Sequence, residues 1–212
     1  MKLTKTLIAG SVIGLGAAFS AQATTITLSD PGVFDTAVSN ATIIDFANGC
    51  DGAGGYASCS GDYMIVTGSQ SGQYAEPYQL GSDTEYLTVP NPESSGSANL
   101  ELGTTANYFG LYWGSVDDYN TIEFLLNGAV VDSFTGDQVM PPADGTTDSW
   151  DTNRYVNFHF GSQFFDEVRM ESTQFAFESA NHAFATVPEP GTLGLLGLGL
   201  LGLGAGRRKL KG

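Results

Sequence analysis

Positive charge is almost missing from the middle of this chain. Between residues 24 and 187 there is no lysine, and Arg154 and Arg169 are the only arginines, set against 22 of the chain's 23 carboxylates. The other six basic residues stand at the ends: Lys2 and Lys5 at one, Arg207, Arg208, Lys209 and Lys211 at the other. The interior therefore carries a formal charge of −20. That charge repels phosphate backbones and sets the chain against nucleic acid as a partner. It is compatible with divalent cations, with a hydrated anionic matrix and with a plainly solvated surface.

Cysteine and histidine are scarce too. Cys50 and Cys59 stand nine positions apart in CDGAGGYASC. There is no Cys-x-x-Cys and no second ligand pair, so metal and redox readings lack their parts, and an even count predicts a disulfide in an exported chain. His159 and His182 fall in no catalytic motif, and Gly-x-Ser-x-Gly, His-Glu-x-x-His and a phosphate-cradling glycine loop are all absent. His159 reads as a half-exposed sheet residue, and His182 as a residue that packs or hydrogen-bonds locally. The chain is read as non-catalytic, with no catalytic residue and no required cofactor. Because 22 carboxylates bring some acids together in any fold, an exported glycan-active hydrolase remains the alternative. A ligand-free structural surface protein is a further one.

What is present at the ends is targeting chemistry. Lys2 and Lys5 precede an apolar run over residues 7–19, and Ala21-Gln22-Ala23 offers the small residues that signal peptidase accepts. Residues 1–23 are read as a signal peptide, with Ala21 and Ala23 at the cleavage site and Thr24 as the mature start. At the other end Val187-Pro188-Glu189-Pro190 leads into a Leu/Gly/Ala run over residues 191–206, closed by the basic cluster. As a helix the run of about 16 residues is roughly 24 Å long, a transient membrane stop more than a permanent anchor. The basic cluster should remain cytoplasmic, leaving residues 24–186 as an ectodomain on the far side.

Within the ectodomain, short β-branched and aromatic runs alternate with Gly, Asn, Asp, Ser and Pro. The pattern predicts strands over residues 25–28, 42–46, 63–67, 85–89, 98–102, 108–113, 121–126, 130–134, 155–160, 167–171, 175–177 and 182–186, with a candidate short helix over 34–38. Asn127-Gly128 between TIEFLL and AVVDSF predicts a hairpin with a type I′ turn. In the strand over 155–160, Val156, Phe158 and Phe160 share one face and Tyr155, Asn157 and His159 the other. Many short strands with regular turns predict an all-β fold, an antiparallel β-sandwich of jelly-roll type. Two longer loops, over 68–83 and 136–153, interrupt the rhythm; they are either binding loops at the sandwich edge or polar excursions.

Ligand chemistry in such a domain points to calcium or to sugar. Calcium takes six to eight oxygens; Asp45 on an early strand would meet Glu178 and Asn181 on a late one if those strands pair, and Asp117-Asp118-Tyr119-Asn120 is an alternative cluster. The competing reading of these residues is ordinary turn and capping chemistry. Sugar rings stack on exposed aromatics, for which Tyr112, Trp113, Tyr119, Trp150 and Tyr155 are available. Trp113 reads as core, leaving Trp150 and Tyr119 as the carbohydrate-facing pair, with extracellular polysaccharide as the partner.

The tail VPEPGTLGLLGLGLLGLGAGRRKLKG resembles the PEP-CTERM sorting signal: a Pro-Glu-Pro motif, an apolar helix and a basic tail in order. It is also known as the ice-binding protein C-terminal domain, a label for the tail that says nothing of ice. The resemblance implies recognition by a membrane-embedded exosortase, cleavage near Pro188-Glu189-Pro190 with Arg207 and Arg208 in the basic tail, and passage from the inner membrane to the envelope surface or extracellular matrix. The segments NYFGLYWGSVDDYNTIEFLLNG, RYVNFHF and FDEVRMESTQFAFESANHAF resemble the ectodomain of many PEP-CTERM proteins. The last of these is also similar to jelly-roll carbohydrate-binding modules, whose final strand often carries an acidic or amide residue, here Glu178 or Asn181.

Overall fold

The computed structural model describes residues 23–188. Ala21, Glu189, Pro190, Arg207, Arg208 and the expected membrane helix over residues 191–206 lie outside the described residues. Among the described residues no helix is long and apolar enough to cross a membrane.

The chain forms two antiparallel sheets. The larger one orders β1 (Thr25–Leu28), β10 (Arg154–His159), β7 (Tyr108–Gly114), β12 (Phe177–Ala185), β5 (Tyr86–Val89) and β4 (Met64–Val66), with β2 (Thr42–Ile44) also paired to β12. The smaller orders β3 (Ser58–Gly61), β6 (Gly96–Ala106), β11 (Phe165–Ser172), β8 (Asn120–Leu126) and β9 (Ala129–Thr135). Side chains from both sheets fill one core: Phe109, Trp113, Phe158 and Phe177 from the first, Leu100, Phe124, Val168 and Met170 from the second. The indole of Trp113 stacks on Phe177 with centroids 4.1 Å apart, so this tryptophan is core, as its place in a strand predicts. The β8–β9 turn has Asn127 at φ 52° and Gly128 at φ 76°, the two positive angles a type I′ turn demands.

Alternation explains both the successes and the misses. In β7, Phe109, Leu111 and Trp113 face the core while Tyr108 and Tyr112 face outward under other segments, so all seven residues are buried. The expected strands over 175–177 and 182–186 are one strand, β12. Its register against β7 slips between Ala180 and Ala183, where Asn181 takes φ 48°. This bulge inserts one residue and shifts parity, so that Phe177 and Ser179 before it and His182 and Phe184 after it all point inward; a period-2 pattern breaks there. Residues 34–38 form no helix, because Phe34 is drawn onto the sheet, its ring 5.0 Å from that of Tyr112. A helical turn, α1 (Gly136–Val139), lies instead after β9. Strand β3, Ser-Cys-Ser-Gly, has no apolar alternation and is recruited by pairing with β6 and by the crosslink it carries.

That crosslink joins Cys50 to Cys59 with 6.1 Å between their Cα atoms. It closes the loop that inserts Tyr56, 2% exposed, into the core. There the phenol hydroxyl lies 2.7 Å from His182 Nδ1, and Ser179 Oγ lies 2.9 Å from His182 Nε2. Burial pushes the His182 imidazole down to about 3, so the ring stays neutral inside the sandwich. Replacing both cysteines by serine frees a loop of about ten residues in the unfolded chain, a loss of about 2–3 kcal/mol. The expected outcome is a lower urea midpoint with an unchanged slope, measured on oxidised wild type and the double variant.

Candidate functional site

The loop over residues 68–83 folds back over the outer face of the larger sheet, and buried tyrosines hold it there. The Tyr86 hydroxyl donates to the Gly68 carbonyl, and the Tyr112 hydroxyl donates to the Tyr78 carbonyl at 2.6 Å. Within the loop, Gln70 and Tyr74 exchange backbone hydrogen bonds of 3.0 and 3.1 Å. Gly114 at the end of β7 permits the approach: a Cβ there would stand 2.7 Å from the Pro77 ring.

The second long loop, over 136–153, is pinned to the first by one carboxamide. Asn153 is fully buried. Its Oδ1 accepts from the backbone amides of Tyr78 at 3.0 Å and Ser115 at 2.9 Å, while Nδ2 donates to the carbonyls of Thr146 at 3.0 Å and Ser149 at 2.9 Å. The four contacts use the full capacity of an amide side chain.

Between the two loops lies a groove of about 560 Å³. One wall is Ser69–Ala75; the other holds Asp144, Gly145 and Thr147; Ser115, Asp117, Tyr119, Phe175, Ala176 and Glu178 complete it. Gly145, at φ +69°, lets its own segment close on Asp117, because a Cβ there would collide with that carboxylate. The Asp144 carboxylate accepts from the Thr146 amide at 3.1 Å and its hydroxyl at 2.8 Å. The Tyr119 hydroxyl donates to the Phe175 carbonyl at 2.8 Å.

Glu178 is the buried acid of this groove, 3% exposed. Its Oε1 accepts from the Ala75 amide at 2.9 Å, and Oε2 has only the Ser115 hydroxyl at 3.5 Å. Burial, reinforced by the nearby Asp117 charge, raises the carboxyl to about 8. Burial also raises Asp117 to about 6, with Asp118 and Asp144 adding to it. At neutral pH the groove thus presents a protonated carboxyl, able to donate a hydrogen bond, beside carboxylates, hydroxyls, amides and two phenol rings. That mixture matches the alternating donors, acceptors and apolar faces of a polyhydroxylated ligand.

The sequence candidates divide. Tyr119 and Glu178 line the groove. Trp150 is half-buried, packed on Tyr78 and Phe34 with centroids 5.0 and 6.1 Å apart. Asp45 lies on the surface, its carboxylate accepting from the Ala47 amide. Asn181 donates to the Phe34 carbonyl at 3.0 Å. Strand β2 does pair with β12 as the calcium reading required, but Asp45, Glu178 and Asn181 are occupied separately. Among the described residues no group of three or more His, Cys, Asp and Glu side chains is placed to hold a metal ion. Ala23 and Pro188 stand at the first and last described positions. Sequence reasoning marked both long loops but not Ser115, Asp144 or Asn153, single polar residues whose roles come from contacts distant in the chain.

Two outcomes follow from this geometry. Asn153→Ala strands two backbone amides and two carbonyls, at a cost of about 2–4 kcal/mol; urea unfolding reads the loss, and hydrogen exchange should show it concentrated in residues 68–83. Glu178→Gln tests the buried acid. The native carboxyl keeps its proton up to about pH 8, whereas the unfolded one releases it near its ordinary 4.5. Wild-type stability therefore falls as pH rises through that window and is unaffected by this group below it. The variant should match wild type near pH 4 and exceed it by on the order of a few kcal/mol above pH 8, as measured by denaturation at each pH.

No curated protein matches the chain. Among solved structures, the fold is similar to one described as "CpGH89CBM32-6 produced by Clostridium perfringens", with 11% identity and a TM-score of 0.33, covering 59% of this chain and 94% of that one. Another comes from Ruminococcus flavefaciens, whose cellulosome is described as reflecting "an expansion in glycan recognition", with 13% identity and a TM-score of 0.32 over 72% of this chain and 98% of that one. At these TM-scores neither likeness carries a functional argument. Residues 186–209 match the model of the PEP-CTERM protein-sorting motif, and the chain therefore carries at that end the sorting signal of exosortase-dependent export to the cell surface.

Proposed function

We propose that the ectodomain is a non-catalytic glycan-binding domain, arranged as a jelly-roll-like sandwich, that holds extracellular polysaccharide in the groove between its two long loops. In this reading signal peptidase removes the leader, the tail pauses in the inner membrane until exosortase cuts near Pro188, and the acidic domain is left at the envelope surface or in the matrix. The observation that carries the reading is the composition of the groove: its lining includes the phenol side chains of Tyr74 and Tyr119 together with Ser69, Gln70, Gln73 and Thr147, whose neutral groups can hydrogen-bond, and Glu178. Aromatic faces with a few convergent polar groups are what sugar recognition uses. No cofactor is required, since the donors come from the chain itself.

Binding to a panel of immobilised polysaccharides tests this. Wild type should bind at least one of them. Tyr74→Ala and Tyr119→Ala should each weaken that binding about tenfold while leaving the thermal midpoint within a few degrees. Absence of binding to every glycan would overturn the reading. Loss of binding on chelation would place calcium in the site, and shortening of a bound oligosaccharide would turn the groove's carboxyls to acid–base work and make the protein a hydrolase.

A further inference from the structure

A carboxyl buried within a fold is either paired with a cation or held protonated. Glu178 has no cation. The single ion pair among the described residues joins Arg169 to Glu123 at 3.0 Å on the smaller sheet, and Arg154 donates to the Ser29 carbonyl. No lysine, arginine or histidine lines the groove, whereas Asp117 and Asp144 do. Directly opposite Glu178 in the β12–β5 register stands Thr88, fully buried, its hydroxyl without a hydrogen-bond partner among the described residues. The groove thus holds three acids, one nearly buried with an oxygen only marginally satisfied, beside phenol rings of a kind whose faces attract cations.

We propose that the groove selects an amine-bearing saccharide, a sugar with a free amino group, with its ammonium seated against the carboxyl groups of Glu178 and Asp117. The inference rests on the glycan-binding reading and narrows its ligand class. An ammonium on a sugar ring supplies the missing charge and up to three donors, and the ring keeps its apolar face for Tyr74 or Tyr119. Glu178, which burial holds protonated at neutral pH, gives up its proton when that partner arrives. The field of the −20 ectodomain draws cationic ligands in and repels uronate or sulfated chains.

Calorimetric titration of the full chain decides the matter, with a glucosamine tetrasaccharide, its fully N-acetylated counterpart and a neutral glucose tetrasaccharide as probes. The free-amine sugar is expected to bind at least about tenfold tighter than the acetylated one. Glu178→Gln and Asp117→Asn should each collapse that preference to about twofold or less, read as the ratio of amine to N-acetyl affinity within the same variant. A general attraction of the acidic surface for cations would survive either single substitution, so a preference that persists in both variants overturns the proposal. Equal affinities for amine and N-acetyl sugars also overturn it and leave the glycan reading standing. If none of the three sugars binds, the narrowing falls together with that reading. Calcium binding lost in Glu178→Gln, without any preference for the amine, would assign the carboxyls to a metal ion instead.

Discussion

The fold depends on an aromatic contact between the sheets. Phe124 of β8 meets five other phenylalanine rings, those of Phe109, Phe134, Phe158, Phe160 and Phe165, at centroid distances of 4.7 to 6.4 Å. Phe109 and Phe158 belong to the larger sheet, so the cluster joins both layers. Each such pair adds about 0.5–1.5 kcal/mol beyond the apolar area it buries. With its inner face committed to this core, the larger sheet has its outer face left to cover, and that requirement generates the site.

Tyrosine meets the requirement. Tyr86, Tyr112 and Tyr155 project outward from three strands of the larger sheet and are fully buried. A buried phenol hydroxyl needs a partner, and here the partners are loop and bulge carbonyls: Gly68, Tyr78 and Asn181. The covering segments are therefore fastened from beneath by hydroxyls and from the side by the Asn153 carboxamide. Where the loop over 68–83 and the loop over 136–153 fail to meet, the groove remains, with Glu178 at its base because β12 happens to place that residue outward beside Ser115.

Much of this division is legible in the sequence and some is not. In Tyr-Phe-Gly-Leu-Tyr-Trp, the alternation of tyrosine with phenylalanine, leucine and tryptophan already separates an outer, hydroxyl-bearing face from an inner, apolar one, and Asn127-Gly128 announces its hairpin. These signals are local, depending on residues one or two positions apart. The unity of β12 is not local: the bulge at Asn181 is stabilised by contacts to Phe34 and Tyr155, far away in the chain. The position of Trp150 failed to declare itself for the same reason. A tryptophan in a polar loop has the composition of an exposed platform, and only the arrival of Phe34 and Tyr78 makes it a strut. Asn153 looks like any loop asparagine until the amides of Tyr78 and Ser115 are brought to it.

Composition and geometry meet in the acids. A domain without lysine, whose two arginines are engaged elsewhere, has no internal cation to give a buried carboxyl, so folding drives Glu178 toward its neutral form. Most of the other carboxylates lie at the surface, as Asp45 does in its turn. Glu178 and Asp117 are instead desolvated, because the loops that cover the tyrosine face also strip their water. An extreme surface charge and a neutral acid inside the groove are then two consequences of one composition. Exclusion of basic residues keeps the ectodomain anionic at the cell surface, and it leaves the groove's buried acid with no cation of the fold, so that a proton takes the cation's place.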